Sequence, residues 1–139
     1  MFILNKKLMA TFILEKLAFG DIEDLKSPPS GITAFLNVAD NVKVSKLPKK
    51  YYKVPLKDGV PIPARKLKKI INWIKEKITS DRILIFCKHG KGRSPSVVVG
   101  FLCSIGFNYK EAVNFIVSKN SDIKPLPLLA KTIKRMLED

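Results

Sequence analysis

Eight consecutive residues, Cys87-Lys88-His89-Gly90-Lys91-Gly92-Arg93-Ser94, put a thiol, a guanidinium and a hydroxyl among glycines and basic side chains. That set suits a phosphate ester. A short glycine-containing loop at a helix N-terminus turns successive backbone N–H groups inward, and the nest they form, with the helix dipole, favours a phosphate dianion. Gly90 and Gly92 supply the backbone freedom for such a loop. The same donors favour the thiolate of Cys87, the form of sulfur that attacks phosphorus. Arg93 can grip two phosphate oxygens through its planar fork, which a lysine cannot reproduce, and the grip suits the spread charge of a phosphoryl-transfer transition state. Ser94 is spaced to hydrogen-bond the sulfur as leaving group. A lone cysteine after an apolar strand is more often a small core residue. The residues in register behind Cys87 reverse that reading. Lys88, His89 and Lys91 belong on the rim of the phosphate site, where the competing role for them is solubility.

The loop needs a strand before it and a helix after it. Residues 82–86 (Arg-Ile-Leu-Ile-Phe) form a short apolar run suited to a central strand covered on both faces. Residues 94–105 are apolar, with Pro95 near the start and Gly106 after the end, the punctuation of a buried helix.

Around this unit the patterning supplies further elements. Residues 2–4, 11–14 and 16–19 are short β-favouring runs, and 25–31 carry the loop signal Ser27-Pro28-Pro29-Ser30-Gly31. Strands are expected at 32–38 and 51–56. Residues 58–63 (Asp-Gly-Val-Pro-Ile-Pro) form a loop, because glycine and two prolines forbid a ladder or a continuous helix. Leu67, Ile70, Ile71, Ile74 and Ile78 recur at helical spacing with lysines between them, predicting a surface helix over 64–79. Asn108-Tyr109-Lys110-Glu111 resembles a capping box for a helix to about 117, and a last helix fits 128–137. Strands alternating with helices predict an α/β fold: one domain over residues 1–139, with a central, mostly parallel sheet flanked by helices.

Composition bounds the rest. With 26 Lys+Arg against 12 Asp+Glu the formal charge is +14, which argues for an anionic partner (phosphorylated ligand, nucleic acid or anionic lipid) or else a solvated basic surface. Two cysteines, Cys87 and Cys103, do not make a disulfide framework. Cys103, within the apolar helix, is expected to be a packed thiol. Residues 1–20 are apolar but broken by charges, so neither a cleavable leader nor a transmembrane segment is expected. The expectation is a cytoplasmic protein in a reducing environment.

Cys, five residues, Arg, then Ser, closing a strand and opening a helix, resembles the signature of cysteine-dependent protein-tyrosine and dual-specificity phosphatases. Leu17 to Gly20 resembles that family's first strand segment, Leu36-Asn37-Val38-Ala39 its second, and Val54-Pro55-Leu56-Lys57-Asp58 its acid loop. The resemblance implies attack by Cys87 to form a phosphocysteine while an aspartic acid protonates the departing oxygen, then attack by water with that residue as base. Asp58, at the head of a Gly/Pro loop, matches the acid; Asp40 is the other candidate, and Asp81 is read as marking a turn. No metal or cofactor is implied. One position departs from the pattern: Phe86 stands where the family usually has His, which implies altered activity rather than none. The expected substrate is a phosphorylated protein, phosphotyrosine first and phosphoserine or phosphothreonine beside it. Lys88 and Lys91 resemble loop lysines of phosphoinositide 3-phosphatases, and His89 resembles RNA 5′-triphosphatases. A phosphoinositide, an RNA 5′-phosphate or a non-catalytic phosphate-binding role therefore stay open as alternatives.

Overall fold

The computed structural model describes residues 10–138, so the run at 2–4 lies outside the described residues. Five strands form one sheet in the order β1-β2-β5-β3-β4. They are β1 (Thr11–Leu14), β2 (Leu17–Gly20), β3 (Ala34–Ala39), β4 (Tyr51–Leu56) and β5 (Ile83–Phe86). β1 and β2 are an antiparallel hairpin; β2, β5, β3 and β4 are parallel to their neighbours. The continuously apolar β5 lies at the centre and is fully buried, as its sequence requires.

Because these four strands are parallel, their C-terminal ends emerge along one edge. Gly20, Ala39, Leu56 and Phe86 end the strands there, and the residues that follow each are brought together above the sheet. Ligands of open parallel sheets bind outside such carboxyl ends.

The helices are α1 (Ile22–Lys26), α2 (Ala64–Lys77), α3 (Arg93–Ser104), α4 (Tyr109–Lys119) and α5 (Leu129–Glu138). α3 packs on β2, β3 and β5 and is touched by α2, α4 and α5. It is buried from Arg93 to Cys103, so its apolar run has no solvent face. α2 buries Leu67, Ile70, Ile71 and Ile74 of the expected stripe, each side chain contributing about 1.5–3 kcal/mol by leaving water, while Ile78, the fifth, is the half-buried C-cap. The capping box of α4 forms as its residues require: Glu111 N–H donates to Asn108 Oδ1 (2.8 Å) and Asn108 N–H to Glu111 Oε1 (3.0 Å).

Two expectations are corrected. The segment after Gly20 contains α1, too short for a helical period to show, and started by a second capping box between Asp21 and Asp24. The last helix begins at Leu129; Leu128 has φ 58°, which a helix cannot contain. Among the described residues no helix is long and apolar enough to cross a membrane.

Candidate active site

Cys87 follows β5 directly, and residues 87–92 turn into the N-terminus of α3. Gly90 has φ 73°, and a Cβ there would lie 3.1 Å from the Gly20 carbonyl, so only glycine fits. Gly92 is glycine for a different reason from the one expected. Its φ is −118°, open to any residue, but a Cβ would meet Asp58 Oδ1 at 3.2 Å and Leu126 Cδ2 at 3.3 Å.

Cys87 is buried, with its sulfur inside a hydrogen-bonded frame. Gly90 N–H donates to Sγ (3.2 Å), the thiol donates to Ser94 Oγ (3.3 Å), and that hydroxyl donates to the Gly20 carbonyl (3.1 Å). Rotating the Ser94 hydroxyl from Gly20 to the sulfur would turn the same contact into a donor for a thiolate. Phe86 packs in the hydrophobic core beneath the loop and offers the sulfur no polar group. Cys87 and Cys103 are both free, and burial pushes the Cys103 thiol up.

Arg93 is 2% exposed, an unusual place for a guanidinium. Its Nη1 donates to Asp40 Oδ1 (3.2 Å), Asn41 Oδ1 (2.9 Å) and the Leu56 carbonyl (3.2 Å), which offset the burial of charge. Its Nε is buried with no hydrogen-bond partner among the described residues. An unsatisfied buried N–H costs about 1–3 kcal/mol, which an oxyanion in the cleft would relieve.

Asn37, buried in β3, aims this fork from a distance. Its Nδ2 donates to the Val42 carbonyl (3.1 Å) and Tyr51 Oη (2.9 Å), while Ala39 N–H donates to its Oδ1 (2.9 Å). The bend so fixed carries Asp40 and Asn41 to Arg93.

The loop floors an open cleft of about 790 Å³, which Cys87, Lys88, His89, Lys91, Gly92, Arg93 and Asp58 all line. Lys88, His89 and Lys91 are exposed around its rim. Asp40 is not among the lining residues; its carboxylate is held by Arg93. Asp81 follows the turn after α2, buried and bonded to Lys50 Nζ (2.8 Å), at the opposite end of β5 from Cys87 and the cleft. Lys50 beside it holds its carboxyl below the usual range against the opposing effect of burial, with Thr33 and Ser80 assisting.

Two walls were not foreseen. One is Asp21, Ile22 and Glu23 at the start of α1. The other is Lys124 to Pro127, pinned to the loop by Lys124 N–H donating to the Lys91 carbonyl (2.7 Å) and to α3 by Leu126 N–H donating to Ser96 Oγ (2.9 Å). Two prolines mark that segment as extended, but no sequence signal names its partners.

The model of the dual specificity phosphatase catalytic domain matches residues 21–136. Among solved structures, Tk-PTP in its active form is 22% identical, over 93% of this chain and 96% of that one, with a TM-score of 0.80. DUSP15 is 20% identical over 91% of this chain and 85% of its own, with a TM-score of 0.80. Human DUSP28 is 17% identical over 96% and 95%, with a TM-score of 0.79. At these identities the likeness is one of fold. No curated protein matches the sequence.

Proposed function

The chain belongs to the dual specificity phosphatase catalytic-domain family, cysteine-dependent phosphatases that need no metal, and from that membership we propose that it removes phosphate from phosphotyrosine, and from phosphoserine or phosphothreonine, in proteins through a phosphocysteine on Cys87. The observation that supports it most is the buried, unpartnered Nε of Arg93 in the cleft that Cys87 lines. Its hydrogen bond suits a transferring phosphoryl oxygen, while Nη1 stays fixed on Asp40, Asn41 and Leu56.

In the first step the Cys87 thiolate attacks phosphorus, the S–P bond forms as the ester P–O bond breaks, and Asp58 gives its proton to the departing oxygen. In the second, water attacks phosphorus, Asp58 takes a proton from it, and the S–P bond breaks with Ser94 O–H donating to the returning thiolate. Asp58 is preferred to Asp40 as the acid because it lines the cleft, heads the 58–63 loop and has no ion pair among the described residues. Residues 1–139 act as one catalytic domain in this reading, and a cytoplasmic setting keeps the thiol reduced.

The test is hydrolysis of an aryl phosphate by the wild type and by Cys87→Ser. Loss of all turnover with oxyanion binding retained is expected, because the nest is backbone while a hydroxyl is a far weaker nucleophile. Substantial turnover by a clean Cys87→Ser preparation sinks the mechanism. A panel of phosphotyrosine peptide, inositol lipid and 5′-triphosphate RNA then separates the substrate classes.

A further inference from the structure

Beside the catalytic cleft lies a smaller groove of about 210 Å³, built from the same two segments. The loop that begins with Asp58 and Gly59 in the cleft runs on through Val60 to Pro61 and Ile62 in the groove. The segment that walls the cleft at Pro127 runs on to Leu128, which lines the groove. The two recesses are therefore adjacent along both walls.

Three features of the groove are unusual together. Leu128 is 63% exposed and held at φ 58°, a left-handed conformation that strains a non-glycine residue. Val60, which in the chain joins Gly59 of the cleft to Pro61 of the groove without lining either, is 38% exposed, a second large apolar side chain left in water. Lys131 and Arg135, one turn apart on α5, line the far side, and neither has a carboxylate partner among the described residues. The frame is rigid, because the buried Thr132 hydroxyl donates to the Ile62 carbonyl (3.1 Å) and ties α5 to the loop.

We propose that this groove docks the substrate polypeptide beside its phosphorylated residue, taking an apolar side chain against Leu128 and then an acidic one at Lys131 and Arg135. The inference rests on the protein-phosphatase reading above and adds the substrate's flanking chemistry. Continuity with the cleft and the charge of the far side select this occupant. A chain anchored by its phosphate at Cys87 passes over Leu128 before it reaches the cations. Strain at Leu128 is compensated when its side chain leaves water against a ligand.

Three phosphotyrosine peptides test it: one with Gly/Ser flanks, one with Leu then Glu-Glu on the N-terminal side, and one with the same flank on the C-terminal side. One flanked peptide should exceed the Gly/Ser peptide about tenfold in kcat/KM, a difference of about 1.4 kcal/mol. That ratio should fall to within about twofold in Leu128→Asn, chosen because asparagine tolerates the left-handed backbone. In the double variant Lys131→Gln/Arg135→Gln the ratio should shrink and lose its salt dependence. Melting curves of both variants check that they fold. Equal kcat/KM for all three peptides in the wild type overturns the groove and leaves the phosphatase reading standing, as does a preference that survives in both folded variants. Turnover of aryl phosphate with none of any peptide overturns the protein-substrate reading and the groove with it. Leu128-dependent binding to phosphatidylserine vesicles without any peptide preference reassigns the surface to a membrane.

Discussion

Arg93→Lys keeps the charge at the clamp and removes its shape. In the structure one nitrogen, Nη1, is divided among Asp40, Asn41 and Leu56, while Nε is the buried donor left over. A lysine ammonium can occupy the Nη1 position and satisfy those acceptors, or reach toward the phosphate, but not both. Either way one of the two jobs goes undone: the substrate loses the Nε hydrogen bond, or the clamp loses its anchor. A charge-assisted hydrogen bond contributes about 1.5–3 kcal/mol, which is about 10–10² in rate. The loss should fall mainly on kcat, because the clamp meets most charge in the transition state. The assay is steady-state hydrolysis of an aryl phosphate by wild type and variant, with thermal unfolding to check that the buried lysine is tolerated. A folded Arg93→Lys within tenfold of wild-type kcat/KM refutes the clamp.

Asp58→Asn should cost about 10²–10⁴ in kcat toward alkyl or tyrosyl phosphates and much less toward esters with very acidic leaving groups, which depart without a proton. An equal loss for both, or a larger one from Asp40→Asn, reassigns the acid. Replacing Lys88 and Lys91 by Ala should raise KM for substrates with a second phosphate or acidic flanks far more than for a small aryl phosphate, an effect that added salt erodes; equal changes leave the rim merely solvated. Asp81 has its carboxyl lowered in the fold by Lys50, so it adds stability that is full above the unfolded carboxylate value of about 3.9 and is lost as pH falls through the folded value. Asp81→Asn should therefore be less stable by about 1–2 kcal/mol at pH 7, read from denaturant unfolding, and show a shallower acid decline than wild type; parallel declines contradict that assignment.

What the sequence disclosed was local. The apolar run at 83–86, the stripe Leu67 to Ile74 and the Asn108–Glu111 box each specify an element through neighbours in the chain, and each forms where expected. Cys87 to Ser94 was legible for the same reason, since strand, loop and helix are contiguous. Contacts set by sheet order were not. Asn41 reaches Arg93 across 52 residues, and Lys124 meets Lys91 only because α4 returns the chain to the cleft. Gly92 makes the distinction plain: it was read as supplying backbone freedom, but its φ is ordinary and the reason for glycine lies in Asp58 and Leu126, which no local rule relates to it.

The close approach of Gly90 to the end of β2 bears on how this loop can be moved or varied. A Cβ at Gly90 would strike the Gly20 carbonyl, while a Cβ at Gly20 would overlap the Asp24 carboxylate that caps α1. Gly90 is thus held as glycine by the backbone of Gly20, and Gly20 in turn by the Asp24 side chain. Grafting residues 87–94 onto another parallel sheet would therefore need a neighbouring strand end placed as Gly20 is, with its carbonyl there to accept from Ser94. The transplantable unit is two strand ends, not one loop.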